Sequence, residues 1–307
     1  MGVDRENPFV VSQHGFLVRR LRSELVNLRT ADGFRSVSGG VVPLGDQLVF
    51  SRAKFEKLRP HEQRLLEALA IGWSNRSGIL IGRSAARVCG MWVVPLGDEK
   101  IEVALPSRSA SPSRRASTSV QFRYSPIPAE HISEVQGIRV TVLVRTFADI
   151  ARYHGFLEGL VAIDCLRFRG IELSVVAEHL RPMGRFKGVA TVRRCIHHSV
   201  AISDSPFESL ARGLLIDACV TGIQTQVKIE GYRVDLLVDG WLVVEIDGAS
   251  KYSGADAERV RQSEFNRQKT IANLGYVFLR YSPADLLRDP AAFVAEVTST
   301  LANRRSR

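Results

Sequence analysis

Histidine is missing from the last third of the chain, because all seven histidines lie at or before His198. This absence excludes histidine-ligated metal nucleases and Ser-His-Asp hydrolases from that region, since both need an imidazole as ligand or base. No segment carries the GxxxxGK[S/T] pattern that cradles nucleotide phosphates, so nucleotide hydrolysis is not expected.

Cysteine pairs and long apolar runs are also missing. The four cysteines are widely spaced and form no CxxC pair, which argues against a zinc knuckle and against a disulfide framework. We expect them to be buried, reduced thiols. No apolar run reaches the roughly 18 residues of a membrane helix, and Met1–Phe9 has no signal-peptide core. These features predict a cytoplasmic protein without membrane contact.

Positive charge is concentrated in the first two thirds of the chain. Residues 1–200 hold 29 Lys and Arg against 18 Asp and Glu, whereas residues 201–307 hold 13 against 14. A basic region joined to a region of clustered acids is typical of proteins that act on nucleic acid, and DNA is the first choice of partner. A merely basic surface is the alternative. The oligomeric state is left open, with a homodimer among the alternatives.

The length of 307 residues favours two or three domains of α/β (α+β) class. In residues 1–54, a basic helix at 16–28 and a hairpin after Gly39-Gly40 resemble a degenerate winged-helix segment. Residues 55–200 are predicted to form one α+β domain. Its expected strands are 101–105, 120–124 and 139–144, and its expected helices are 60–71, 84–89, 146–153, 157–167, 173–180 and 188–197.

Residues 201–307 give the clearest pattern, in the order α-β-β-β-α-β-α. Gly231 and Asp239-Gly240 are typical hairpin turns, and a strand–helix–strand step implies that the third and fourth strands are parallel. We therefore expect a mixed sheet with helices packed on it. The predicted helices are 205–219, 255–274 and 283–303, and the predicted strands are 223–229, 232–238, 241–246 and 276–281.

Three acids fall where this sheet would bring them together. Glu245 and Asp247 lie two residues apart on one strand and so face the same side. Asp235, on the preceding strand, falls opposite Glu245 across the Asp239-Gly240 hairpin. Like charges on one patch repel unless a cation lies between them, and carboxylate oxygens suit Mg²⁺ or Mn²⁺. Salt-bridged surface acids are the alternative.

Further polar residues extend this hypothesis. Glu208, in the first turn of the leading helix, could add a ligand or orient water, or could simply favour the helix dipole. Lys251 could stabilise charge on a phosphate, or could be a solvated loop residue. The remaining basic residues predicted to meet phosphates are Arg259, Arg261, Arg267, Lys269 and Arg280 near the acids, and Arg114 and Arg115 in the Ser/Arg-rich loop 107–117.

The segments SPFESLARGLL, RVDLL, VVEIDGASKY and RQKTIANLGYVFLRYSPADL, in this order, resemble the domain family akin to very-short-patch-repair (Vsr) endonucleases. That family belongs to the PD-(D/E)XK nuclease superfamily, and the resemblance covers about residues 203–295. It implies that Asp235 and Glu245 are the metal-binding acids, with the Ile246 carbonyl as a third ligand, and that Glu208 is the acid of the leading helix. Asp247 takes the place where many superfamily members carry the lysine of an E-x-K pattern, and an E-x-D-G version is usual within the family itself.

The region before this domain has a looser resemblance. GRSAARVCGMW, RVTVLVRTFADIAR and AIDCLRFRGI are similar to pieces of actinobacterial proteins related to AbiEi-type antitoxins. This resemblance implies toxin–antitoxin biology and a DNA-binding N-terminus.

Two functions therefore compete. The first is a Mg²⁺-dependent endonuclease, which the intact acid set favours. The second is a DNA-binding regulator of antitoxin type with an inactive nuclease fold, which the missing E-x-K lysine favours. A protein-binding scaffold is a third option, but the uneven charge distribution argues against it.

Overall fold

The chain folds into α-helices and three β-sheets, as seen in a computed structural model that describes residues 8–30, 40–45, 47–75, 77–106, 119–247 and 267–305. One sheet is antiparallel and two are mixed. The expected α+β class is therefore confirmed.

The first sheet is small and has the strand order β1-β3-β2. Val41 pairs with Ser51 in the antiparallel β2–β3 hairpin, which confirms the hairpin expected after the glycine pair. The elements of this region are α1 (Pro8–Glu24), β1 (Val26–Asn27), β2 (Val41–Pro43), β3 (Leu48–Ser51), α2 (Arg52–Phe55) and α3 (Pro60–Ser74).

The second sheet has five strands in the order β6-β5-β4-β8-β7. Strands of this sheet pack on the same apolar cluster as the N-terminal elements, since Val103 and Val140 share that cluster with Val18 and Phe50. Its elements are β4 (Ile79–Leu80), α4 (Gly82–Val88), β5 (Ile101–Leu105), β6 (Val120–Tyr124), β7 (Ile132–Val135) and β8 (Ile138–Thr141).

A helical layer follows the second sheet and consists of α5 (Leu143–His154), α6 (Phe156–Phe168), α7 (Leu173–Leu180) and α8 (Val189–His198). The strand expected over residues 139–144 was wrong in its second half, because a helix begins at Leu143. The Thr146 amide already donates to the Val142 carbonyl at 2.8 Å, so the apolar run here is the buried face of a helix.

The third sheet forms the C-terminal part and has the order β12-β11-β10-β9. β11 and β12 are parallel and the other pairs antiparallel, which confirms the predicted mixed sheet. Its elements are α9 (Pro206–Asp217), β9 (Ile223–Ile229), β10 (Tyr232–Val238), β11 (Leu242–Ile246), helical residues 267–273, β12 (Val277–Tyr281), α10 (Pro283–Arg288) and α11 (Pro290–Arg305).

Two differences from the sequence prediction concern helices of this part. The last helix was expected to be continuous, but it is interrupted at Asp289, because a residue before proline disfavours the helical conformation. The helix expected over 255–274 is described only at residues 267–273, since residues 248–266 lie outside the described part of the chain.

The two hairpin turns of this sheet have the backbone that the sequence predicts. Glu230-Gly231 and Asp239-Gly240 all have positive φ, at 48°, 80°, 49° and 73°. Two successive residues with positive φ define the type I′ turn, whose twist matches that of the flanking strands. The first loop has only these two residues, because Ile229 pairs with Tyr232, whereas the second extends to Trp241, because Val238 pairs with Leu242.

Apolar clusters cover both faces of the third sheet. Leu236, Val244 and Ile246 pack on one face against α9, α10 and α11, whereas Val243 packs on the other face with Ile271. Val161 of α6 belongs to the first of these clusters, so the C-terminal part is packed directly onto the helical layer that precedes it.

The thiols differ in exposure. Cys165 and Cys195 are buried and free, as expected, but Cys219 is exposed. The expectation that all four cysteines are buried was therefore wrong for Cys89, which is half-buried, and for Cys219, which follows the end of α9 in a left-handed conformation with φ 58°. Within the described ranges, no helix combines the length and hydropathy that a membrane crossing requires.

Candidate active site

Strands β10 and β11 bring Asp235 next to the strand end that carries Glu245. Leu236 pairs with Val244 in this antiparallel ladder, so the same register continued by one residue places Asp235 opposite Glu245. Asp235 Oδ2 accepts a hydrogen bond from the Ile246 amide at 2.8 Å. The side chain of Asp235 is thus fixed against the backbone of the strand end that the sequence predicted.

Glu245 is the most buried acid of this site, with a side chain 3% exposed. Burial raises its pKa, and the Asp235 carboxylate raises it further, while the hydrogen bond and the charge of Arg267 lower it. Asp247 adds a smaller increase. The net upward shift of the pKa shows that the three acids share one electrostatic environment.

Arg267 is the cation that faces Glu245. It lies at the start of helical residues 267–273, where its Nη2 donates to Glu245 Oε1. Ile271, one turn later, packs in the core below this helix and holds it against the sheet. The side chain of Arg267 is only 16% exposed, so its guanidinium belongs to the acidic patch and not to an open basic edge.

Asp247 has a different arginine partner. Its Oδ2 lies 2.9 Å from Arg280 Nε, and the two side chains are 10% and 30% exposed. Its amide donates to the Tyr281 carbonyl at 2.9 Å, which ties the residue to β12. Asp247 therefore lies at the junction of β11 and β12, beside a guanidinium that reaches solvent.

Glu208 is buried at the N-terminus of α9 and faces β9. Its Oε2 accepts hydrogen bonds from Gln226 Nε2 at 2.7 Å and from the Asp204 amide at 3.0 Å. Gln226 falls opposite Asp235 in the β9–β10 ladder and has a φ of 54°. The carboxylate of Glu208 is thus linked to the strand beside Asp235 through one amide side chain.

The acids suit a divalent cation in their chemistry. Asp235, Glu245 and the Ile246 carbonyl offer only oxygen donors, as hard cations require. Across the described residues, no group of three or more His, Cys, Asp and Glu side chains has the arrangement of a metal site. A set of two carboxylates and one carbonyl is consistent with that observation.

The other predicted basic residues separate into two groups. Lys269 is exposed on helical residues 267–273. The remaining predicted residues lie outside the described part of the chain, and these are Arg114, Arg115, Lys251, Arg259 and Arg261.

Sequence reasoning missed two relationships at this site. It treated Arg267 and Arg280 as surface residues for phosphates and did not pair them with Glu245 and Asp247. It also gave no role to Gln226. The pairing of Arg280 had a signal in the sequence. Arg280 lies inside the apolar strand YVFLRY, and an apolar strand rarely carries a cation without an acidic partner.

Comparison with known families supports the class that this fold and site define. Residues 207–301 match the family model REase_MTES_1575, a restriction endonuclease-like family. The chain therefore carries a C-terminal restriction endonuclease-like domain, and the four-stranded mixed sheet is compatible with that fold. A nuclease-like function and nucleic-acid binding follow at a general level. A search of curated proteins found no match to the chain.

Proposed function

We propose that the C-terminal domain is a metal-dependent endonuclease that hydrolyses phosphodiester bonds in DNA. One observation carries the proposal: the buried Glu245 carboxylate lies on β11 opposite Asp235 of β10, whose Oδ2 accepts a hydrogen bond from the Ile246 amide, and two residues from Asp247. Such a cluster is unfavourable by itself, and a divalent cation relieves it. The match of residues 207–301 to a restriction endonuclease-like family supports the same conclusion.

The proposed roles follow from the donor set. Asp235, Glu245 and the Ile246 carbonyl would hold Mg²⁺ or Mn²⁺, and the bound ion would supply an activated water and polarise the scissile phosphate. Glu208 and Asp247 would orient water. Lys251 would be one cation that offsets the developing charge.

The region before residue 201 would hold the nucleic acid. It carries 29 Lys and Arg against 18 Asp and Glu, and neutralising phosphates releases counterions, which drives binding. The resemblance to Vsr-type endonucleases and to AbiEi-type antitoxins belongs to this proposal as well. The proposal also includes a cytoplasmic location, where DNA is available as the substrate.

Cleavage assays test the proposal directly. The whole protein is incubated with plasmid and with structured oligonucleotides in the presence of Mg²⁺ or Mn²⁺, beside Asp235→Asn. Asp239→Asn is the matched control, because Asp239 lies in the turn of the same hairpin and asparagine tolerates its positive φ of 49°. We expect the wild type and the control to cleave and Asp235→Asn to be inactive. Cleavage by Asp235→Asn at the wild-type rate would contradict the proposed site.

A second function is favoured by one feature of the site. Arg267 and Arg280 already pair with Glu245 and Asp247, so the acidic patch has internal counter-ions. A DNA-binding regulator that keeps the nuclease fold without activity would need no further cation at these acids. Tight DNA binding by the wild type, with no cleavage of any substrate in either metal, would favour the regulator.

A further inference from the structure

We infer that Arg280 supplies the cation that contacts the scissile phosphate, and that Asp247 positions it. This inference rests on the nuclease function proposed above. It gives a structural reason for the aspartate at residue 247, where the E-x-K pattern has a lysine.

The sheet places Arg280 beside the metal-binding strand. β12 runs parallel to β11, and Arg280 is the register partner of Glu245. Register partners on adjacent strands project to the same face of a sheet. The guanidinium of Arg280 therefore belongs to the face that carries the acids.

Asp247 holds that guanidinium in place through an ion pair. Asp247 Oδ2 lies 2.9 Å from Arg280 Nε, and the Asp247 amide is itself bonded to the Tyr281 carbonyl at 2.9 Å. The carboxylate is thus anchored to the strand that carries the arginine. The ion pair keeps the guanidinium beside the acids, while the side chain of Arg280 remains 30% exposed.

Arg280 suits this role better than Arg267. Arg267 pairs with Glu245, a proposed metal ligand, and is 16% exposed. Any ion held by Glu245 competes with that pair. Arg280 instead pairs with Asp247, which is not among the proposed ligands, so its position does not depend on the metal.

The chemistry needs a permanent positive charge. Hydrolysis forms one phosphorus–oxygen bond to water and breaks one ester bond, while the water loses a proton and the leaving oxygen gains one through solvent. Arg280 exchanges no proton in this step, because a guanidinium stays charged at all relevant pH values. It stabilises the negative charge on the non-bridging oxygens, which is where preorganised cations accelerate phosphoryl transfer.

The test compares variants of the whole protein. Arg280→Gln removes the cation, and Arg280→Lys keeps the charge without the planar geometry. Arg288→Gln is the matched control, because Arg288 is an exposed arginine on α10 that pairs with Asp285. The readouts are single-turnover cleavage with Mn²⁺, the shift of the melting temperature by Mn²⁺, and metal-free binding to a duplex oligonucleotide at several salt concentrations.

We expect Arg280→Gln to lower the cleavage rate by roughly a hundred- to a thousandfold. Its shift of the melting temperature by Mn²⁺ should equal that of the wild type. The slope of log affinity against log salt should fall by about 0.9, the value for one lost phosphate contact. Arg280→Lys should keep the slope and lose part of the rate, and Arg288→Gln should cleave as the wild type does.

A double variant that combines Arg280→Gln with Asp247→Lys restores the E-x-K pattern and should recover cleavage. If the role of Arg280 were purely structural, this second substitution would not restore the activity. Wild-type rate and salt slope in Arg280→Gln would overturn the inference. If the wild type cleaves nothing, the proposed nuclease function fails, and the salt slope still decides whether Arg280 contacts phosphate. If Arg280→Gln does not fold, Arg280→Lys and Asp247→Asn decide: wild-type cleavage by both would refute the role.

Discussion

Arg212 of α9 and Asp164 of α6 form a buried ion pair, with Arg212 Nη2 and Asp164 Oδ2 at 2.7 Å and side chains 6% and 0% exposed. Arg212 Nη1 also donates to the His198 carbonyl at 2.6 Å, and Asp164 accepts from the Val200 amide at 2.9 Å. The pair therefore joins the restriction endonuclease-like domain to the helices before it. Together with the packing of Val161 in the core of the third sheet, it holds the two parts in one arrangement.

Arg212→Met should destabilise the protein by about 3–5 kcal/mol, because it leaves the Asp164 carboxylate buried without its counter-ion. Urea unfolding measures the change. The matched control is Arg194→Met: Arg194 pairs with Asp217 at the same 2.7 Å, but the side chains are 43% and 40% exposed. An exposed pair contributes at most about 1 kcal/mol. Equal losses in the two variants would mean that burial of the first pair has no energetic consequence.

The loss in Arg212→Met should depend on pH. Burial raises the pKa of Asp164, and the Arg212 charge opposes that rise, so the variant should have a still higher folded-state pKa. A carboxyl whose folded pKa exceeds its unfolded pKa stabilises the fold below the unfolded pKa and loses that contribution as pH rises through the folded pKa. The variant should therefore be closest to the wild type in stability under mildly acidic conditions and furthest from it at neutral pH.

Urea unfolding at several pH values checks this expectation. The double variant Arg212→Met with Asp164→Asn has no titrating group at the site and should lose the pH dependence. A pH dependence that persists in the double variant would assign it to another group.

Millimolar Mn²⁺ or Mg²⁺ should raise the melting temperature of the wild type, because a ligand that binds only the folded state stabilises it. The gain is about 2.7 kcal/mol when the ion is at 100 times its dissociation constant. Asp235→Asn should abolish the shift, whereas Asp239→Asn should keep it. Thermal unfolding followed by circular dichroism, with and without the ion, measures both. An unchanged melting temperature in the wild type would remove the main support for a metal site.

Duplex DNA binding should weaken steeply with salt, because the excess positive charge of residues 1–200 displaces counterions. Replacing Arg114 and Arg115 by serine should reduce the slope of log affinity against log salt by up to about 1.8, at about 0.9 for each phosphate contact. Fluorescence anisotropy at several salt concentrations provides the slope. A slope identical to that of the wild type would show that the Ser/Arg-rich loop does not contact the phosphates.

Local sequence patterns were sufficient to predict the elements of the third sheet. Asp239-Gly240 predicted the hairpin, and its loop extends to Trp241, because Val238 pairs with Leu242; this register places Asp235 opposite Glu245. Glu245 and Asp247 share a face because strand side chains alternate. The parallel pairing of β11 with β12 followed from the helix between them. Each of these features depends on neighbours close in the chain, so the sequence determined them by itself.

Only the tertiary structure decided which cations meet the acids. Arg280 reaches Asp247 because β12 lies next to β11 in register, and Arg267 reaches Glu245 because Ile271 packs its helix onto that face. Arg212 contacts Asp164, which lies 48 residues earlier in the chain, only when α9 packs on α6. Such contacts depend on how separate elements pack, and packing follows from shape and burial over the whole core. These contacts between separate elements cannot be predicted from the pattern of residues along one strand.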